Sequence, residues 1–178
     1  FVLSGFLITL ILLESKELME AKRLTLGRSL KVFYIRRALR IFPIYYVVVF
    51  TTTIINGGIP AEAFWWNLCY ANNIFQSNLG HFTGNISHLW SLSVEEQFYL
   101  VWPLFVLLTP RRIMPLAFAL VFAGSVAFKT LLVWTDAHYI SYQVLTPSCM
   151  DALASGALLA WMFRYKNDVF QKWMGQSW

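Results

Sequence analysis

Two stretches of this 178-residue chain, 57–88 and 135–147, contain no lysine or arginine, while the stretches that alternate with them are crowded with both. Between these stretches lie apolar runs at about 1–13, 32–56, 89–108, 113–134 and 148–163. A hydrocarbon core takes roughly 20 apolar residues of helix to cross. Inside it only helices or closed barrels leave no backbone group unsatisfied. Lys16, Lys22, Arg23, Arg28, Lys31, Arg36, Arg37 and Arg40 fall in or beside the first connection, Arg111 and Arg112 in the third, and Arg164, Lys166 and Lys172 in the tail. The positive-inside rule puts these three regions on the cytoplasmic side, so successive runs cross in alternating directions. The expected fold is all-α, a polytopic membrane helix bundle with four full crossings and a shorter first one. Lys129 breaks the pattern and is expected to snorkel toward headgroups from the outer end of its helix. Trp65, Trp66, Trp90 and Trp134 fall at outer boundaries, where an aromatic belt belongs.

Composition narrows the choice further. Charged residues make up 13% of the chain and hydrophobic ones 58%, against about a quarter charged in soluble domains. The net charge of +5 is distributed by loop and so reports topology, which points to membrane lipids and not nucleic acid as the partner. Cys69 and Cys149 are far apart and in no metal-ligand spacing, so neither a metal nor a disulfide is expected. No repeat or linker divides the chain, and a single domain over 1–178 accounts for it. The first run is short, without a basic leader or cleavage site, and reads as a fragment beginning inside a transmembrane helix. Gly57, Gly58 and Pro60 end the second run, and 57–88 reads as an aromatic, nearly uncharged loop. The Asn85-Ile86-Ser87 sequon acts only in a eukaryotic secretory pathway and is read as chance.

Against this background, Glu95 and Glu96 are costly. An ionisable group near the middle of a membrane helix costs roughly 3 kcal/mol or more and marks a functional site by default. Ser91 and Glu95, four apart, share a face that Phe98 and Trp102 continue. Glu96 projects about 100° away, with Tyr99 and Pro103 on its own face. The natural cationic partners are Arg36, Arg37 and Arg40, which one helical turn presents as a patch at the cytoplasmic boundary. Guanidinium groups suit bidentate recognition of phosphate or carboxylate. Pro43, just beyond, can open a cavity behind them. His81, His88 and His138 all lie in loops and read as solvated. No phosphate loop or nucleophile elbow occurs.

The blocks Phe1-Val2-Leu3-Ser4-Gly5-Phe6-Leu7-Ile8, Phe33-Tyr34-Ile35-Arg36-Arg37-Ala38-Leu39-Arg40-Ile41-Phe42-Pro43 and His88-Leu89-Trp90-Ser91-Leu92-Ser93-Val94-Glu95-Glu96-Gln97-Phe98-Tyr99-Leu100 together resemble, in order, successive signatures of the membrane acyltransferase 3 family. The resemblance implies an inner-membrane enzyme of about ten helices. It moves an acyl group, usually acetyl from cytoplasmic acetyl-CoA, onto a hydroxyl of lipopolysaccharide, peptidoglycan or another surface polysaccharide. It matches the family's arginine pair to Arg37 and Arg40, its serine and glutamate to Ser91 and Glu95, and its Ser-Gly to Ser4 and Gly5. A later pattern, an arginine two residues before an aspartate, matches at Asp151, but Cys149 stands in the arginine's place. The family's histidine lies in the helix before Phe1.

The mechanism this implies gives the histidine proton transfer or acyl carriage. Arg37 and Arg40, with Arg36 beside them, hold CoA phosphates or developing negative charge, and Glu95 with Ser91 orients the histidine or the acceptor hydroxyl. Two rivals stand beside it. A secondary transporter or flippase would use the same buried charges as a pathway, and a scaffold would keep the fold without activity.

Overall fold

The computed structural model describes residues 1–56, 61–82 and 87–166. Gly57, Gly58 and Pro60, Asn85 and Ile86 of the sequon, and Lys172 lie outside the described residues. All regular structure among the described residues is helical, in the order α1 (Val2–Glu20), α2 (Leu26–Asn56), α3 (Ala61–Leu68), α4 (Asn72–Leu79), α5 (Leu89–Leu108), α6 (Met114–Trp134), α7 (Ser141–Val144) and α8 (Thr146–Tyr165).

The expected spans change at both ends of the first connection. α1 does not stop near Leu13 but runs to Glu20, because Glu14, Lys16, Glu17, Leu18 and Met19 are strong helix formers and their charges find partners across the bundle. Lys16 is buried and donates from Nζ to the Leu107 carbonyl at 2.7 Å, at the carboxyl end of α5. Glu17 pairs with Arg164 at 2.5 Å and Glu20 with Arg111 at 2.6 Å. α2 starts at Leu26 instead of Val32, where Thr25 Oγ1 accepts from the Arg28 amide at 3.4 Å as a side-chain cap. The stretch 57–88 is no plain loop either, since α3 and α4 lie within it. Tyr45 of α2 holds α3 by donating its hydroxyl to the Asn67 carbonyl at 2.7 Å. α4 closes at Gly80, whose φ of 71° places it in the left-handed region.

Cross-helix pairs fix the directions. Ser4 meets Glu95, Thr9 meets Trp102 and Lys16 meets Leu107, so α1 and α5 run the same way. Gly5 abuts Leu153 and Glu17 meets Arg164, so α8 shares that direction. Tyr34 on Leu100 and Tyr45 on Asn67 turn α2 the other way, as Arg111 on Tyr165 and Ser125 on Ser148 do for α6. One end of the bundle thus gathers Lys16, Glu17, Glu20, Arg111 and Arg164. At the other, α4 meets α7 through Ser77 and Ser141 at 2.9 Å.

Trp102 organises the core. Its indole donates to Thr9 Oγ1 at 2.8 Å, and its ring packs on Phe98, Phe105 and Phe118 with centroids 4.7–5.4 Å apart. Leu12, Leu13, Val94, Val106, Met114 and Leu153 surround it, all buried. The outward faces are apolar as well: Ile44, Val47 and Ile54 on α2, Leu100 and Leu104 on α5, and Leu116 and Leu120 on α6 are exposed. A helical bundle with an apolar exterior is built for lipid, where such a surface has no hydrophobic penalty. α6, and Ser141–Tyr165 taken together, are each long and apolar enough to cross a membrane.

Candidate active site

The centre of the site is a carboxylate with both oxygens engaged. Ser4 of α1 donates its hydroxyl to Glu95 Oε1 at 2.6 Å, and Tyr99, one turn along α5, donates to Oε2 at 3.0 Å. Two hydroxyl donors from two helices leave the Glu95 carboxylate little rotational freedom. Tyr99 also supports the cation, since the Arg37 guanidinium carbon lies 3.6 Å above its ring centroid, within the range of a cation–π contact.

Around this pair a cavity of about 390 Å³ opens between α1, α2 and α5, lined by Ser4, Ile8, Arg37, Arg40, Glu95 and Tyr99 among others. A second cavity of about 290 Å³ shares Ile8, Ile11, Arg37 and Arg40 with it, and continues along α2 past Arg36 and Phe33 to Ser29 and Leu24. α1 packs along α5 and α8 but scarcely against α2, and this gap is what leaves the groove open. Arg36 and Arg40 are exposed and form no ion pair among the described residues, and Arg37 Nε is buried without a hydrogen-bond partner. The site therefore combines an oriented carboxylate with guanidinium groups that are not neutralised by it.

Several expectations need correction. The arginine turn does not sit at the cytoplasmic boundary. It lies level with Glu95 and Tyr99, because the earlier start of α2 adds about 9 Å of helix before it. Ser91 does not join Glu95. Its hydroxyl returns to the His88 carbonyl at 3.0 Å in the first turn of α5, as serine near a helix start commonly does, and Ser4 takes the place beside the carboxylate. Tyr99, read from the sequence as lying on the Glu96 face, bonds Glu95 instead. Its spacing of four from Glu95 was the available signal. Lys129 does not snorkel outward, since its ammonium is 2.5 Å from Asp151 Oδ2.

The other residues are scattered. Glu96 turns away from Glu95 into a third cavity, which it shares with Arg37 and Tyr99. Asp151 stands on α8 with its Oδ1 accepting from the Ala152 amide at 2.8 Å, and it lines none of these three cavities. The Cys149 thiol is 3.3 Å from the Gln143 carbonyl, so the cation beside Asp151 comes from α6 and not from position 149. Gly5 is buried against α8. His81, His88 and His138 are exposed and line none of the three cavities.

A helix bundle with a lipid-compatible exterior and an arginine–carboxylate groove between its helices is the class that fold and site define. The chain belongs to the acyltransferase 3 family, whose acyltransferase domain model matches residues 1–177. It is 32% identical over 193 residues to the peptidoglycan O-acetyltransferase OatA of Listeria monocytogenes serovar 1/2a, covering 95% of this chain and 30% of that protein. To the putative peptidoglycan O-acetyltransferase YrhL of Bacillus subtilis (strain 168) it is 32% identical over 122 residues, covering 60% of this chain and 18% of the relative. A putative O-acetyltransferase of Staphylococcus aureus (strain COL) is 29% identical over 194 residues, with 94% and 30% covered. The chain thus spans about a third or less of the length of these relatives. No solved structure matches it.

Proposed function

We propose that this chain forms the donor half of a multi-pass inner-membrane enzyme that transfers an acetyl group from cytoplasmic acetyl-CoA to a hydroxyl of a cell-envelope glycan, peptidoglycan being the first candidate from the relatives. One observation carries the reading: Arg37 and Arg40 face the same groove as the clamped Glu95 without being neutralised by it. The residues present fit the donor. Arg36, Arg37 and Arg40 offer guanidinium groups for its phosphates, and Ile8, Ile11, Val32 and Phe33 offer an apolar slot for its thioester arm. Bound there, acetyl-CoA supplies an activated acyl carbonyl.

The chain's own groups then have separate tasks. Arg36, nearer the basic connections, and Arg40, one helical turn further along α2, bind and orient phosphate. Arg37, fixed over Tyr99, meets negative charge that develops beside the clamped carboxylate. Glu95, held by Ser4 and Tyr99, accepts a hydrogen bond from the proton-carrying group, the histidine that the resemblance places upstream of Phe1, and so sets its orientation.

The test uses the full-length protein in proteoliposomes with acetyl-CoA on the cytoplasmic face and acetyl transfer to glycan as the readout. Glu95→Gln, which keeps shape and removes charge, is expected to lower the transfer rate by about a hundredfold, and Arg40→Ala by about tenfold with the larger effect on the KM for acetyl-CoA. Wild-type rates in both variants at normal insertion would overturn the assignment.

A further inference from the structure

The two cavities of the donor groove join at a level where, among the described residues, Ile8 and Ile11 of α1 and Arg37 and Arg40 of α2 line both. The joint is two-sided, with guanidinium groups on one helix and branched aliphatic side chains on the other. On α1 the stripe Ser4, Ile8, Ile11 and Ser15 follows helical spacing and lines the groove for about 16 Å. Ile8 stands one turn from Ser4, whose hydroxyl holds Glu95. The joint therefore lies about 6 Å along α1 from the group that clamps the carboxylate.

The two isoleucines differ in how far they can yield. Ile11 is 52% exposed and Ile8 only 4%. Ile8 belongs to the same buried cluster as Leu12, Phe98 and Trp102, and the branch at its Cβ leaves it one strongly preferred rotamer in a helix. Its backbone is fixed as well. A Cβ added at Gly5, three residues earlier, would lie 2.1 Å from the Leu153 carbonyl oxygen, so α1 is seated directly on α8 at this level. Extra volume in a packed interior forces side chains off rotamer or moves the backbone, and neither is easy here. Of the two aliphatic side chains at the joint, Ile8 is the one that acts as a fixed stop.

Acyl transfer exchanges the acyl carbon's bond to the CoA sulfur for one to the acceptor oxygen, and the hydroxyl proton ends on the released thiol. The chain beyond the carbonyl carbon takes no part in this exchange and has only to be accommodated. Negative charge develops on the carbonyl oxygen, which assigns that oxygen to Arg37. Because Arg37 lines the joint, the chain attached to the carbonyl lies there too. Guanidinium groups lose hydration against an apolar chain without gaining a partner, so the chain turns to the aliphatic side, where Ile8 stands.

We propose that Ile8 gauges acyl length in the donor groove: the methyl of an acetyl group packs against its side chain, and the further methylenes of a longer acyl group run into it. The proposal rests on the acyltransferase reading and deepens it, by assigning the choice among acyl-CoA donors to a residue with no charge and no side-chain hydrogen bond to offer. In a hydrophobic pocket one methylene is worth roughly 10- to 200-fold in discrimination. A single fixed side chain is therefore enough to separate acetyl from butyryl donors.

The test measures kcat/KM of the full-length protein in proteoliposomes for acetyl-, propionyl- and butyryl-CoA supplied on the cytoplasmic face. The wild type is expected to favour acetyl over butyryl by roughly tenfold or more, and Ile8→Ala to raise the butyryl-to-acetyl ratio by about the same factor. Ile8→Val removes a single methyl at little cost to folding and is expected to raise the propionyl-to-acetyl ratio by roughly threefold or more; it decides the matter alone if Ile8→Ala does not fold. Ile44→Ala, on an exposed face of α2 outside the three cavities, should leave both ratios unchanged. A wild type that uses butyryl-CoA as well as acetyl-CoA overturns the gauge. So do folded Ile8 variants that lose rate equally with all three donors, which is what a purely structural role predicts. Glu95→Gln is expected to slow all three donors together at constant ratio. If it keeps wild-type rates while Ile8→Val shifts the ratio, the role of Glu95 falls and the gauge stands; a wild type that transfers from no acyl-CoA breaks the donor reading and the gauge with it.

Discussion

α1 has two sides that behave in opposite ways. Toward α8 it is locked. A Cβ added at Gly5 would lie 2.1 Å from the Leu153 carbonyl oxygen, and one at Gly156 would lie 2.0 Å from the Val2 oxygen, so each helix uses a glycine to admit the other's backbone. Glu17 and Arg164 pair at 2.5 Å three turns further along the same interface. Toward α2 it is open, and the groove that holds Arg37, Arg40 and Glu95 fills the gap. The contrast explains how Ser4 can orient a carboxylate from the edge of a cavity. Its immediate neighbour, Gly5, is seated on a backbone that cannot yield, so the hydroxyl position is set by the locked side and used on the open one.

Filling the locked side should have the largest effect. Gly5→Val or Gly156→Val places side-chain atoms where a neighbouring main chain already lies, and a main chain cannot move aside as a flexible side chain does. Each is expected to destabilise the full-length protein by about 3 kcal/mol or more, at the upper end of overpacking effects, read as a lost or strongly lowered unfolding midpoint in detergent. Gly124→Ala on α6 is the control, since nothing lies within 4 Å of its added Cβ. Its midpoint should hold or rise slightly, alanine being the better helix former. A Gly5→Val protein as stable as wild type would mean that α1 and α8 are not locked.

A smaller effect belongs to the α6–α8 face. Lys129 and Asp151 are partly exposed and 2.5 Å apart, and removing one leaves the other charged on an apolar helix face. Lys129→Met is expected to lower stability by about 1–2 kcal/mol, discounted from a fully buried pair for exposure. Adding Asp151→Asn should recover most of that loss. If Asp151 acted in transfer and not in packing, the double variant would regain its unfolding midpoint yet stay inactive, so midpoint and rate together separate the two roles.

The two sides of α1 were unequally legible in the sequence. α5 and α6 could be read almost to the residue, because their apolar length is set by the bilayer and Thr109-Pro110-Arg111-Arg112 stops the one before the other starts. The extension of α1 to Glu20 was not, since the charges that suggest a loop are helix formers whose partners, Arg111 and Arg164, are 91 and 147 residues away. α3 and α4 were hidden for the same reason. Eight-residue helices have too little intrinsic stability to show in a local pattern, and these depend on Tyr45 and Gln97 for anchoring. In the site, the kinds of group could be read but not their pairing. Ser91 and Tyr99 are both four residues from Glu95, and spacing alone cannot tell which of them bonds it.

That ambiguity gives the finest test. Ser4→Ala removes one of the two donors that orient Glu95, while Arg37 and Arg40 remain in place. The transfer rate should fall by roughly tenfold, the effect of one hydrogen bond to a charged group, through kcat more than KM for acetyl-CoA, because the guanidinium groups that hold the donor are untouched. Ser91→Ala removes a hydroxyl that only returns to its own helix turn at His88, so its rate should stay within about twofold of wild type and its stability within about 0.5 kcal/mol. The two serines trade places if the measured order is reversed: a Ser91 effect larger than the Ser4 effect would mean that the carboxylate takes its donor from its own helix during turnover. The locked contact between α1 and α8 would then serve stability alone.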